Sequence, residues 1–387
     1  MSLKHVLYVF GSSNYSGAEI VITRLIENNK LVVPIVLCPP GPFSELLTGK
    51  GIKVINERSL KALNRANKER GRLATLLIVA LNFLKINSRV LGLIWKHKLK
   101  IIHANNLSAS VYILPVVVFF KLFSSSRKFV WSNHDLVYPD GKKMDDLAGK
   151  CVKNFDATLA VSLAVKNKFA TDLQEKIHVL YNGLDLELFK SSPSLRANFR
   201  EEIKAGEEII IAIVGLIIPR KGHLLLINVI NELAQTHGNI KLLIVGKFLP
   251  VEHEYELLVK ELVDSKHIFL QGYSDNVIEL YSGIDILVNA SLPEMSEPLG
   301  TTIYEAMALN KIVVASNTGG SPEIVTHKIN GFLFEAGDSQ SLKNVLTEVL
   351  DNWDNLNEVR QNARKLTEQK FNIDKMVKNY NSILQID

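Results

Sequence analysis

An α/β protein of two doubly wound parallel sheets in tandem is what the sequence predicts, on three observations. Its 387 residues exceed what one hydrophobic core usually fills, so two domains of roughly 150 to 200 residues each are expected. Strand-length runs that are apolar at every position alternate with longer stretches at helical spacing almost from end to end. Strands apolar on both faces belong to a parallel sheet covered by helices. The alternation breaks once, at the polar "SSPSLRANFREEIKAGEE", and then restarts.

Taken in order, the first domain draws its strands from "HVLYVF", "VVPIVLC", "IKVI", "KIIHA", "KFVWSN", "ATLAVS" and "IHVLYN". The interruption, with Pro193 and a Ser cluster, reads as a linker near 189–207. The second domain draws on "IIIAIVG", "IKLLIVG", "HIFLQG", "DILVNAS", "KIVVAS" and "GFLFE". The domains are therefore placed at 1–190 and 191–370. Ligands of open parallel sheets sit beyond the carboxyl ends of the strands, where strand order switches. Two such domains would turn their crevices toward each other across a cleft, which singles out the loops 11–17, 103–107, 133–137, 215–222, 246, 272–274 and 291–302.

Hydrophobic residues make up 47% and charged residues 22%, without low-complexity segments, so an ordered globular chain is expected. Cys38 and Cys151 are too few for a disulfide framework and lack the spacing of a metal site, which points to a reducing, cytoplasmic setting. "MSLKHVLYVFGSS" reads as a buried strand entering a turn rather than a signal peptide. The apolar runs 73–84 and 111–120 are shorter than the roughly 20 residues that cross a bilayer. The net charge of +5 divides into +13 over residues 1–190 and −8 over the rest. Within 61–100, Lys61, Arg65, Lys68, Arg70, Arg72, Lys85, Arg89, Lys96, Lys98 and Lys100 face one acid, Glu69, among many Leu, Ile, Val and Phe. Such a basic amphipathic segment suits an anionic membrane surface, and a solvated helix face is the plainer reading. Nucleic acid is not expected as a partner, because aromatic residues are not interleaved with the cations for stacking.

"VGLIIPRKG" brings Arg220 and Lys221 to a strand end, before a helix that starts near Gly222. Cations beside unpaired helix amides suit a diphosphate, and equally a solvated turn. Gly246 ends "LLIVG" and permits close backbone approach. In "LPEMSEPLGTTIYEAMA", Glu297 precedes a helix whose first turn holds Gly300, Thr301 and Thr302, and Glu305 lies in its early turns. Free amides there attract an anion or a sugar hydroxyl, although acids near a helix N-terminus also favour its dipole with no ligand at all.

With these residues in view, the chain resembles glycosyltransferase family 4. Glu297, seven intervening residues and Glu305 lead into "EAMA"; Gly319, Gly320 and Glu323 follow as Gly-Gly-x-x-Glu, then "GFLF" and a downstream Asp. "SGAE" at 16–19, "HVLYNGLDLELF" at 178–189, "RKG" at 220–222, "LLIVG" at 242–246 and "FLQGY" at 269–273 fall in the expected order. The resemblance covers essentially the full chain. It implies the GT-B architecture, two Rossmann-like domains across a cleft, with the donor held mainly by the C-terminal one and a last helix, 371–387, crossing back onto the first. It also implies a retaining enzyme with no cofactor and no metal, in keeping with a chain that has no DxD motif.

By the same resemblance, Lys221 with Arg220, and the amides of Leu299, Gly300 and Thr301, would neutralise the donor diphosphate, because the leaving group needs fixed positive charge. Glu297 would bind hydroxyls of the donor sugar at the catalytic centre, and Glu305 those of the ribose. Tyr273 would lie near the nucleobase, Gly17 would let the backbone approach the donor phosphate or the acceptor, and Glu19 would cap its helix. His134 would be a catalytic residue that donates a hydrogen bond to the donor sugar, with His103, Asn105 and Asn106 on a neighbouring loop of the acceptor side. Many relatives have Gly-Arg where this chain has Gly215-Leu216, so either Arg220 compensates or the donor is bound more weakly.

The expectation is thus an enzyme of the cytoplasm, or peripheral on the inner face of the cell membrane, that moves a hexose or N-acetylhexosamine. The donor would be a nucleotide sugar, foremost a uridine diphosphate sugar, and the acceptor a carbohydrate carried on a lipid, in surface polysaccharide or glycolipid assembly. A nucleotide-sugar 2-epimerase of the same architecture, and a non-catalytic nucleotide-binding or scaffold member, are the alternatives.

Overall fold

The computed structural model describes residues 3–14, 16–60, 72–123, 126–138, 141–263 and 266–386. β1 (Lys4–Phe10), β2 (Val32–Cys38), β3 (Lys53–Asn56), β4 (Ile101–Asn105), β5 (Lys128–Asn133), β6 (Ala157–Ala160) and β7 (Ile177–Val179) form a seven-stranded parallel sheet, ordered β3-β2-β1-β4-β5-β6-β7. β8 (Ile209–Val214), β9 (Ile240–Val245), β10 (Ile268–Gly272), β11 (Ile286–Asn289), β12 (Ile312–Ser316) and β13 (Phe332–Phe334) form a six-stranded parallel sheet, ordered β10-β9-β8-β11-β12-β13. Each predicted apolar run is a strand; in the centre of the sheets burial on both faces leaves no polar alternation, as at Val6 to Phe10, which are fully buried, whereas the edge strand β3 is only partly buried.

Each sheet belongs to its own compact unit. One comprises Met1–Gly183 with Ile373–Asp387, the other Leu184–Asn372, so the divisions fall at 183/184 and 372/373 rather than at 190/191 and 370/371. The first core gathers Val6, Tyr8, Leu25, Val36 and Val130 with Ile373, Met376, Tyr380 and Leu384 of the C-terminal helix Ile373–Leu384. In the second, Ile211, Ile213, Leu226, Ile230, Leu242 and Val314 pack together. Strand order reverses between β1 and β4 and between β8 and β11. Those are the switch points at which ligands of such sheets sit.

Two expectations are corrected. The segment read as a linker contains helix Pro193–Glu202, started by Pro193 and capped by Ser192, whose Oγ accepts from the Leu195 amide at 3.2 Å. Its Arg196 and Arg200 bind the two oxygens of Asp285 at 2.8 and 3.1 Å, and Phe199 is 3% exposed. The helix is held by paired charges as much as by apolar contact, so hydrophobic periodicity passes over it. The apolar run read as ending at residue 84 also continues: the stretch Leu77–Lys96 of helix Arg72–Lys96 is long and apolar enough, by length and composition, to cross a membrane. Lys61, Arg65, Lys68 and Arg70, and the side chain of Arg72, lie outside what is described.

Candidate active site

In the second unit, polar groups gather where β8 and β11 part. After β8 the turn Pro219–Lys221 leads to Gly222, which starts helix His223–Leu233 at φ 72°. A Cβ there would fall on the Ala290 carbonyl oxygen, so glycine alone lets this helix begin against the end of β11. The turn carries Lys221 Nζ into contact with Glu297 Oε1, the two side chains being 14% and 9% exposed. Asn289, the last residue of β11, donates Nδ2 to Glu297 Oε2 at 2.9 Å and fixes the carboxylate from the other side. Burial, and then the nearby Arg220, lower the Lys221 ammonium to about 7. Its charge therefore depends on an anionic neighbour, a place that Glu297 fills here and that a diphosphate could take.

The loop carrying Glu297 rests on Gly319 and Gly320. Gly319 has φ 57°, and a Cβ on it would collide with the Glu297 carbonyl oxygen, while the Gly320 amide donates to that oxygen at 3.0 Å. Helix Thr301–Ala308 then begins at Gly300 with no side-chain cap, which leaves its first amides open to an anion. A Cβ on Gly300 would lie 3.1 Å from Glu297 Oε2, so the amide cradle and the carboxylate adjoin. Leu299 is buried, so its backbone alone is at hand. Glu305, in the next turn, accepts from Tyr281 Oη at 3.3 Å.

Arg220 is half-buried beside Lys221, and burial lowers its guanidinium from the ordinary value. Gly246 follows β9 and donates its amide to the Gly272 carbonyl at 2.8 Å. Tyr273, beyond β10, is exposed, with the Lys247 ammonium 3.9 Å from its ring centre. Leu216 is 42% exposed at the rim, next to Gly215, where a Cβ would lie 3.5 Å from Lys221 Nζ. Among the described residues no group of three or more His, Cys, Asp or Glu is placed to hold a metal ion.

The first unit brings together a different set. His134 follows β5, and its Nε2 lies 2.7 Å from Asn105 Oδ1 at the end of β4. Burial lowers His134 to about 4, so the ring is neutral at pH 7 and, with Nε2–H given to Asn105, it presents the Nδ1 lone pair. The expected hydrogen-bond donor is thus an acceptor, to which a hydroxyl would donate. His103 is corrected as well: it lies within β4, not on a loop, and is fully buried. Its Nδ1 pairs with Tyr380 Oη at 2.9 Å and its Nε2 with Ser132 Oγ at 2.7 Å, so it ties the C-terminal helix to the sheet. Asn106 caps helix Leu107–Leu122, its Oδ1 accepting from the Ala109 amide at 3.0 Å.

Gly17 opens helix Gly17–Asn28 with nothing within 4 Å of a would-be Cβ. Glu19 accepts from Ser16 Oγ at that terminus, and burial raises its carboxyl. Two positioning residues escape the sequence reading. Asn289 had a signal, an amide ending the apolar strand "DILVN"; Tyr281 had none, because its partner stands 24 residues away.

The sequence profile of glycosyl transferases group 1 matches residues 196–366, and that of glycosyltransferase family 4 matches residues 56–188. The chain belongs to the group 1, family 4-type glycosyltransferases. Among these glycosyltransferases it is similar to putative glycosyltransferase YtcC of Bacillus subtilis, 26% identical over 286 residues and 70% of each chain. It is also similar to the capsular polysaccharide biosynthesis glycosyltransferase CapM of Staphylococcus aureus, 25% identical over 60% of each chain. Other curated glycosyltransferases are matched over less than two thirds of their length. Anabaena HepE superimposes with a TM-score of 0.82 at 24% identity, over 98% of this chain and 99% of that one. The fold is accordingly GT-B, with two Rossmann-like domains.

Proposed function

We propose that this glycosyltransferase moves a hexose or N-acetylhexosamine, with retention of configuration, from a uridine diphosphate sugar to a carbohydrate acceptor carried on a lipid. The product would enter surface polysaccharide or glycolipid assembly, on the cytoplasmic face of the membrane. One observation carries the reading: Lys221, Glu297 and Asn289 meet beside an uncapped helix N-terminus at the switch point of the six-stranded sheet. The uridine nucleotide is supported by HepE, which has been crystallised with UDP and with UDP-glucose. The polysaccharide setting is supported by the name of CapM.

In this reading the donor diphosphate takes the place of Glu297 at Lys221. The ammonium turns to phosphate oxygens, and Glu297, still held by Asn289, accepts from hydroxyls of the sugar. As the glycosidic bond breaks, negative charge gathers on the leaving diphosphate, where Lys221, Arg220 and the first amides of helix Thr301–Ala308 stabilise it. Protein cations supply this charge, and neither metal nor cofactor has a part. Glu305 accepts from hydroxyls of the ribose.

Thermal unfolding with UDP, GDP, ADP and their sugars tests the reading, since a ligand of the folded state raises the midpoint with its concentration. UDP is expected to raise it, and Lys221→Ala to remove most of the rise. Stabilisation by no nucleoside diphosphate would overturn the proposal.

A further inference from the structure

Helix Arg72–Lys96 has two apolar faces. One is fully buried at Ile86, Val90 and Ile94, and Asn87 fastens it to helix Leu107–Leu122, donating to the Tyr112 carbonyl at 2.9 Å and accepting from the Val116 amide at 3.1 Å. At 3.6 residues per turn, Leu77, Leu81, Leu84 and Trp95 fall on the opposite side, and they are 61%, 44%, 65% and 61% exposed. Lys85, Arg89 and Lys96 run alongside this row, about a quarter turn round, and 77–96 contains no Asp or Glu. We propose that this outward face docks on an anionic bilayer, with Leu77, Leu81, Leu84 and Trp95 at the acyl boundary and Lys85, Arg89 and Lys96 among the headgroups.

Only 22% of the apolar stretch is buried, too little for a core helix. Its anchored face makes it lie on a membrane rather than span one, as basic helices with an apolar row do, and the row from Leu77 to Trp95 is about 27 Å long. Trp at one end suits the interface. A second copy is the poorer occupant, since a symmetric pairing would set Lys85, Arg89 and Lys96 against themselves. Glu57 lines the hollow beside Lys85 and Arg89 and leaves those cations in excess. The inference rests on the proposed lipid-carried acceptor and gives it a surface.

Flotation of the full chain with vesicles tests it, using about seven parts phosphatidylcholine to three of phosphatidylglycerol against phosphatidylcholine alone. Binding to the anionic vesicles is expected, with a blue shift of tryptophan emission that Trp95→Phe removes. Leu81→Ser with Leu84→Ser should lower partitioning about tenfold or more, Lys85→Ala with Arg89→Ala should lower it and flatten its salt dependence, and stabilisation by UDP should be unchanged in every variant. Indifference of the wild type to anionic lipid, unchanged partitioning of the variants, or a dimer that Leu81→Ser with Leu84→Ser dissolves would overturn the docking surface. Loss of vesicle binding with UDP stabilisation intact sinks this inference alone; absence of UDP stabilisation sinks the proposed function.

Discussion

Glu297 has two partners, and they make its substitution informative. Glu297→Gln removes the charge facing Lys221 while keeping an amide for Asn289, so Lys221 is freed for phosphate. UDP should bind as tightly as before or tighter, whereas turnover should fall about a hundredfold or more, as steady-state kinetics beside calorimetry would show. Lys221→Ala should weaken UDP and turnover together. Glu305→Gln, away from the sugar, should mainly weaken UDP binding. Leu216, exposed and next in sequence to Gly215, occupies the slot where the family resemblance leads one to expect arginine. A guanidinium there adds a charge-assisted contact, so Leu216→Arg is expected to tighten UDP binding several-fold by calorimetry, and no gain would show that Arg220 already fills the role.

At the level of elements, the strands were legible because their apolar runs carry in their own composition the burial that β4, β6, β11 and β12 have on both faces. Helix Pro193–Glu202 was not, because it docks through Arg196 and Arg200 on Asp285, a residue some 85 positions later, and no local pattern announces so distant a carboxylate. Its one deep apolar anchor is Phe199, lodged against Gly283. Phe199→Ala should therefore cost about 3 to 5 kcal/mol, measured by urea unfolding, where a flexible linker would lose almost nothing. Gly222→Ala acts through the element it starts: strain at φ 72° and the Ala290 carbonyl should cost about 1 to 3 kcal/mol or more and misplace Lys221, weakening UDP as well.

Across the whole molecule, His103, His134 and His223 share one property: burial lowers them to about 3, about 4 and about 4. Unfolded, each titrates near 6.5, so between pH 6.5 and about 4 the unfolded chain binds more protons than the folded one. Their contribution is complete above pH 6.5 and is lost as pH falls, by about 1.4 kcal/mol per pH unit for each residue. Urea midpoints at pH 7.5, 6.5 and 5.5 should decline, and a flat profile would show that these rings titrate in the folded state as they do in the unfolded chain. The sequence by itself determined the two doubly wound sheets, their thirteen strands and the stretch 297–305 with its family, because apolar burial and short motifs are local in the chain. Only the tertiary structure decided that Asn289 holds Glu297, that Asn105 turns His134 into an acceptor, that His103 serves the C-terminal helix, and that helix Arg72–Lys96 shows a second apolar face. Those facts depend on residues far apart in sequence meeting in space, and composition does not record such meetings.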